Sequence, residues 1–188
     1  VENLRKSKKP LFIIGGSGWT NKSCSEFHNF INKNNIPVAT SFRRQDLFDH
    51  KNENFAGCFG TSVSPKLIDS TKNSDLIIVL GARLGEMTTQ GYSIISPRDI
   101  SKNIVHIHVD PNELNKVFNA DVCINVGVNE CCDKLEELTL DSSNRWKEWR
   151  NKLNKNYLED SKPQKNRNYN NLSKNFEIVE KKFPINSI

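Results

Sequence analysis

Short apolar runs alternate along this chain with segments whose apolar residues recur at helical spacing. Leu11-Phe12-Ile13-Ile14 reads as a buried strand and runs into Gly15-Gly16-Ser17-Gly18. Phe27, Phe30 and Ile31 then fall on one helical face. Ser23 is placed to cap that helix, with Glu26 three residues on as a capping box, and Asn34-Asn35 stops it. Ile36–Thr40 reads as a second strand with a proline at its start, and Phe55–Cys58 as a short third. Ser64-Pro65 opens a helix carrying Leu67 and Ile68. Asp75–Leu80 is the fourth strand and leads straight into Gly81-Ala82-Arg83-Leu84-Gly85. Ile104–Val109 is the fifth, closed by Asp110-Pro111, and Pro111 is predicted to start a helix with Leu114, Val117 and Phe118. Val122–Val126 is the sixth, and the helix after it carries Cys131, Cys132, Leu135 and Leu138.

Six short strands, most followed by a helix, predict an α/β fold with parallel crossovers and an open sheet. Continuous apolar strands predict that both sheet faces are covered. The character changes after Leu140. Trp146, Trp149, Leu153 and Tyr157 mark one more amphipathic helix, and the polar stretch from Ser161 to Asn171, holding Pro163, reads as a linker. Leu172, Phe176, Val179 and Glu180 fall on a last predicted helix before Phe183-Pro184-Ile185-Asn186. The expected organisation is a domain over residues 1–140 and a helical linker over 141–188. The chain stops at Ile188 just as a new unit is expected to begin, which reads as a fragment of something larger.

Composition narrows the classes. Hydrophobic residues make up 36% of the chain, and no apolar run approaches the roughly 20 residues of a membrane span. The start, VENLRKSKKP, has no apolar stretch after its charges and does not read as a secretory signal. The balance of 27 basic against 22 acidic residues gives +5. Much of that excess lies at the ends, which argues against nucleic-acid binding. Five cysteines without a CxxC pair argue against a disulfide scaffold or a zinc site and for reduced thiols in the cytoplasm.

Candidate chemistry gathers at strand ends. Glycines at Gly15, Gly16 and Gly18 let backbone amides approach a phosphate at a helix N-terminus, or serve only a tight turn. The nicotinamide fingerprint is broken: its third glycine would stand at Asn21, and the second strand ends in Thr40-Ser41-Phe42-Arg43 without an acid. Gly81 and Gly85 flank Arg83, whose planar guanidinium suits a diphosphate; the alternative is an ion pair with Glu86 or Asp75. Asp110 stands where a carboxylate can accept ribose hydroxyls, or can cap the element begun by Pro111. His106, His108 and Asp110 share a strand face, which alternation explains without a metal. The turn Gly57-Cys58-Phe59-Gly60-Thr61-Ser62 is polar and permits close approach; no histidine is placed to activate Cys58. No catalytic set emerges.

The runs GGSG, IPVATSFRRQDLFDH, FAGCFGTS, SDLIIVLGARLGEMTTQGY and VHIHVDPNELNKVF resemble the middle domain of thiamine-diphosphate-dependent enzymes, in the acetolactate synthase-like group. The resemblance covers about Leu4 to Leu138, and NLSKNFEIVEKKFPINSI resembles the lead into that family's third domain. It implies a Rossmann-like, three-layer, six-stranded parallel sheet in the order 3-2-1-4-5-6, with helices on both faces. It implies FAD or an ADP-type nucleotide in this domain, or no ligand at all. Gly16 and Gly18 would give close approach, Arg83 would hold the diphosphate, Asp110 the adenosine ribose, and Gly60 and Thr61 would lie along the cofactor. Thiamine diphosphate and magnesium would be bound by the first and third domains, which are the implied partners in a homo-oligomeric enzyme. The run Gly85-Glu86-Met87 departs from the acidic pair followed by arginine of true acetolactate synthases, so a related carboligase or 2-oxo acid decarboxylase fits equally. This chain alone is expected to be inactive. An NAD-consuming deacylase on a similar sheet is the other enzyme class weighed; it needs a catalytic histidine in a cleft loop and usually a zinc module, and the missing cysteine pairs count against it.

Overall fold

A computed structural model describes residues 1–96, 103–140, 144–162, 175, 178–179 and 181–183. The elements in order are α1 (Glu2–Lys6), β1 (Pro10–Ile14), α2 (Asn21–Asn34), β2 (Val38–Thr40), β3 (Phe55–Cys58), α3 (Pro65–Asn73), β4 (Leu76–Leu80), α4 (Glu86–Thr89), β5 (Asn103–His108), β6 (Val122–Asn125), α5 (Val128–Glu136) and α6 (Lys147–Asp160). The strands form one parallel sheet ordered β3-β2-β1-β4-β5-β6, as expected.

Alternation along the strands splits the core in two. On one face Phe12, Ile14, Ile78 and Leu80 pack with Phe27, Phe30 and Ile31 of α2 and Cys132 of α5. On the other, Leu11, Ile13, Ile77 and Val79 pack with Leu67 of α3 and with Trp149 and Leu153 of α6. Both faces of β1 and β4 are therefore buried, which is why their sequences are apolar throughout. The sixth strand departs from this pattern. All four residues of β6, at one edge of the sheet, are exposed.

Two local expectations are corrected. The cap of α2 is Thr20, not Ser23: Thr20 Oγ1 accepts from the Ser23 amide at 3.1 Å, and Ser23 Oγ accepts from the Thr20 amide at 2.9 Å. Trp19 Nε1 donates to the Gly15 carbonyl at 2.8 Å, which fixes the entry and starts the helix three residues earlier. Glu26 pairs instead with Lys22 at 2.7 Å. The helix expected from Pro111 is a single 3-10 turn over Pro111–Glu113. Leu114 is already extended and Asn115 is left-handed, with φ of 57°. Ser64 caps α3 with Pro65 in its first turn, as read from the sequence.

The compact unit holding the sheet runs from Val1 to Tyr157, and Leu158–Ile188 form a second unit. Within the first, Trp146 and Trp149 are buried and donate from Nε1 to the carbonyls of Ser7 and Pro10, each at 3.0 Å. Asn154 Nδ2 donates to the Phe55 carbonyl at 3.0 Å, along the β3 edge. Leu172, Phe176, Glu180 and most of the predicted linker lie outside the described residues. No helix among the described residues is long and apolar enough to cross a membrane.

Candidate functional site

A cleft of about 970 Å³ lies over the carboxyl ends of the strands. The strand order makes this inevitable. β1 and β4 are neighbours whose connections leave toward opposite sides, so their end loops part and leave a crevice.

The β1 loop brings Gly16, Ser17 and Gly18 to the cleft. Gly16 and Gly18 have φ of 73° and 86°, in the left-handed region that favours glycine. Gly15 lies beneath, where a Cβ would meet Ser41 Oγ at 1.9 Å. None of the hydrogen bonds among the described residues takes the amide of Gly16, Ser17 or Gly18. The Gly18 carbonyl accepts from Asn129 Nδ2 at 2.9 Å, which ties the loop to α5.

From the β4 loop come Gly81, Arg83, Leu84 and Gly85. The Gly81 amide donates to the Ile107 carbonyl at 2.9 Å, and the Ala82 carbonyl is 3.0 Å from His106 Nε2. These bonds leave Arg83 pointing out, exposed, with no partner among the described residues. The ion-pair alternative does not form. Asp75 stands at the other end of β4, 2.5 Å from Ser7 Oγ and within 2.9 Å of the amides of Lys8 and Lys9.

Asp110 reaches the cleft and also caps its turn. Its Oδ1 accepts from the Asn112 amide at 2.9 Å and from Asn112 Nδ2 at 3.0 Å. The backbone hydrogen bond is the main reason its carboxyl sits below the usual range. Gly60 and Thr61 do not line the cleft. The Gly60 carbonyl instead accepts from Gln90 Nε2.

A profile of the central domain of thiamine pyrophosphate enzymes matches residues 1–135. The chain belongs to this family. Acetolactate synthase large subunits resemble it: that of Corynebacterium glutamicum is 26% identical over 139 residues, covering 74% of this chain and 22% of that protein. That of Haemophilus influenzae is 26% identical over 137 residues, covering 73% and 23%. That of Buchnera aphidicola from Schizaphis graminum is 28% identical over 121 residues, covering 64% and 21%. The chain thus spans between a fifth and a quarter of the length of these curated relatives.

In this thiamine pyrophosphate enzyme central domain, the cleft also holds residues that sequence reasoning missed: Ser41, Phe42, Arg44, Tyr92, Val128 and Asn129. The signal was present. Every strand of a parallel sheet ends on the same side, so the residues after β2 and β6 belong to the same rim. Arg44 is already spent on Asp46, with Nε–Oδ1 of 3.0 Å and Nη2–Oδ2 of 2.9 Å. Lys116 is spent on Glu113 at 2.9 Å. Glu86, Asp110, Glu113 and Glu130 also line the cleft. Arg83 is therefore the one cleft arginine or lysine, among the described residues, left for an incoming anion.

Burial pushes the Cys58 thiol up, away from a reactive thiolate. Among the described residues no three His, Cys, Asp or Glu side chains are placed to hold a metal ion.

Proposed function

We propose that this chain is the non-catalytic central domain of a thiamine-diphosphate-dependent carboligase or 2-oxo acid decarboxylase, and that its cleft binds an adenine nucleotide diphosphate, as ADP or as the ADP part of FAD. The observation that carries the nucleotide reading is the unpaired Arg83 guanidinium at the switch-point cleft. Two features support the fit. The free amides of Gly16, Ser17 and Gly18 lie just before α2, where backbone donors and the helix end favour phosphate. The cleft volume is in the range of ligand pockets, about 300–1,000 Å³. Arg83 would hold the diphosphate, Gly16 and Gly18 would let it approach, and Asp110 would accept from a ribose hydroxyl. The nucleotide would supply anchoring charge rather than reacting atoms.

In the full-length enzyme, thiamine diphosphate and magnesium would be held by a first and a third domain, in a homo-oligomer. Residues 1–140 form the domain body in this reading. Residues 141–188 lead toward the third domain, and within them Trp146 and Trp149 are tied to the body by their bonds to Ser7 and Pro10. Five free cysteines support a reducing, cytoplasmic setting.

Titration calorimetry with ADP, FAD and FMN tests the nucleotide reading. Saturable binding, weakened in Arg83→Ala by about 1.5–3 kcal/mol, is expected for one charge-assisted contact. Absence of heat with every nucleotide refutes it.

A ligand-free structural role in the same enzyme class is the second reading. It is favoured by the four carboxylates on the cleft and by the packing of the glycines against each other, which needs no ligand.

A further inference from the structure

The segment leaving β4 does more than line the cleft. Glu86, Met87, Thr88 and Tyr92 face it, while Gln90 reaches the loop after β3 and donates from Nε2 to the Gly60 carbonyl. β4 and β3 stand three places apart in the sheet, about 14 Å at the usual strand spacing. The turn is shaped for that reach. Gln90, Gly91 and Tyr92 all have positive φ, of 51°, 62° and 63°. Left-handed backbone at two non-glycine residues is costly and persists only where surroundings hold it. Here the Tyr92 amide donates to Thr89 Oγ1 at 3.1 Å, and the Gly91 amide to the Glu86 carbonyl at 2.9 Å. Phe42 backs the same point: a Cβ on Gly60 would sit 3.0 Å from Phe42 Cδ2. Phe42 lines the cleft, and Gly60 and Thr61 behind it do not.

We infer that Gln90 is a specificity-determining residue: its bond to Gly60, backed by Phe42, ends the cleft at β2, so that the site holds a nucleoside diphosphate and gives no seat to the second half of a dinucleotide. This rests on the nucleotide reading above and chooses between its two ligands. The polar, glycine-rich wall and Arg83 lie on the open side of the strap, where a diphosphate needs them. A second half of a dinucleotide that continued past β2 would meet the Phe42 ring and a carbonyl already engaged by Gln90.

The test is calorimetry of the 188-residue chain with ADP and with FAD, repeated on Gln90→Leu, which removes the amide donor and the atom that reaches Gly60. The wild-type chain is expected to bind FAD no more than about twofold tighter than ADP, and Gln90→Leu to raise the FAD-to-ADP affinity ratio about tenfold, with ADP itself changed less than about twofold. FAD binding about tenfold tighter than ADP in the wild type overturns the inference and leaves the nucleotide reading standing. A ratio unmoved by Gln90→Leu does the same. Failure of both nucleotides to bind overturns the two together. The wild-type comparison needs no variant, so a Gln90→Leu chain that does not fold leaves the inference open to refutation.

Discussion

A Cβ on Gly16 would lie 1.9 Å from the carbonyl oxygen of Gly81. The relation is nearly mutual, since a Cβ on Gly81 would lie 2.6 Å from the Gly15 carbonyl oxygen. Two loops that part to form a cleft are thus in backbone contact at its floor. Gly16→Ala meets both a positive φ and a backbone atom that cannot swing aside. It is expected to cost more than about 2 kcal/mol in urea unfolding. Gly85→Ala is the control: nothing lies within 4 Å of its Cβ position and its φ is −82°, so a change under about 1 kcal/mol is expected.

Arg83 is exposed and unpaired among the described residues. Arg83→Ala should therefore leave the urea midpoint of the ligand-free chain nearly unchanged, within about 0.5 kcal/mol. A large loss of stability would mean that Arg83 supports the fold, and its use as a free diphosphate donor would be withdrawn.

Trp146 is 2% exposed and bonds to Ser7, at the opposite end of the sequence. Trp146→Ala should cost about 3–5 kcal/mol, as for other large core truncations. Ending the chain at Leu140 removes Trp146, Trp149 and Leu153 together, and uncovers part of both core faces. Such a chain is expected to lose its cooperative unfolding transition, read by tryptophan-independent circular dichroism.

His106 is buried, and burial disfavours its charged form and holds its pKa below the usual range, against the opposing hydrogen bond to Ala82. The unfolded chain then binds that proton at higher pH than the folded one. Stability is fully present above the unfolded value, about 6.5, and is lost as pH falls through it. The urea midpoint is expected to drop from pH 7 to pH 5, and His106→Leu should shrink that drop. An undiminished drop would place the titrating group elsewhere.

The strands were legible to within a residue or two because central parallel strands are buried on both sides. Asp75–Leu80 was expected, and Leu76–Leu80 is found. Helix starts were less legible. Thr20 and Ser23 both offer a hydroxyl with a polar residue three positions on, and the choice falls to the Trp19 bond with Gly15. Pro111 opens a 3-10 turn as readily as an α-helix, and here the chain is already extended at Leu114. Of the residues singled out for a ligand, Gly16, Gly18, Gly81, Arg83 and Asp110 share the cleft, with Gly15 just beneath it. All follow strands directly, so their side of the sheet was implicit in the parallel topology. The position of Gly60 was not, because it depends on a side chain 30 residues away.

Periodicity and strand-end glycines are local properties, and by themselves they determined the α/β class, the strands and the loops where a ligand would lie. Which of those loops touch was decided only in three dimensions. Arg83 is free because Asp75 is held at the far end of its strand, and Gly60 is walled off because Gln90 crosses two strands to reach it. Such pairings depend on packing between residues distant in the chain, and no short window of sequence contains both partners.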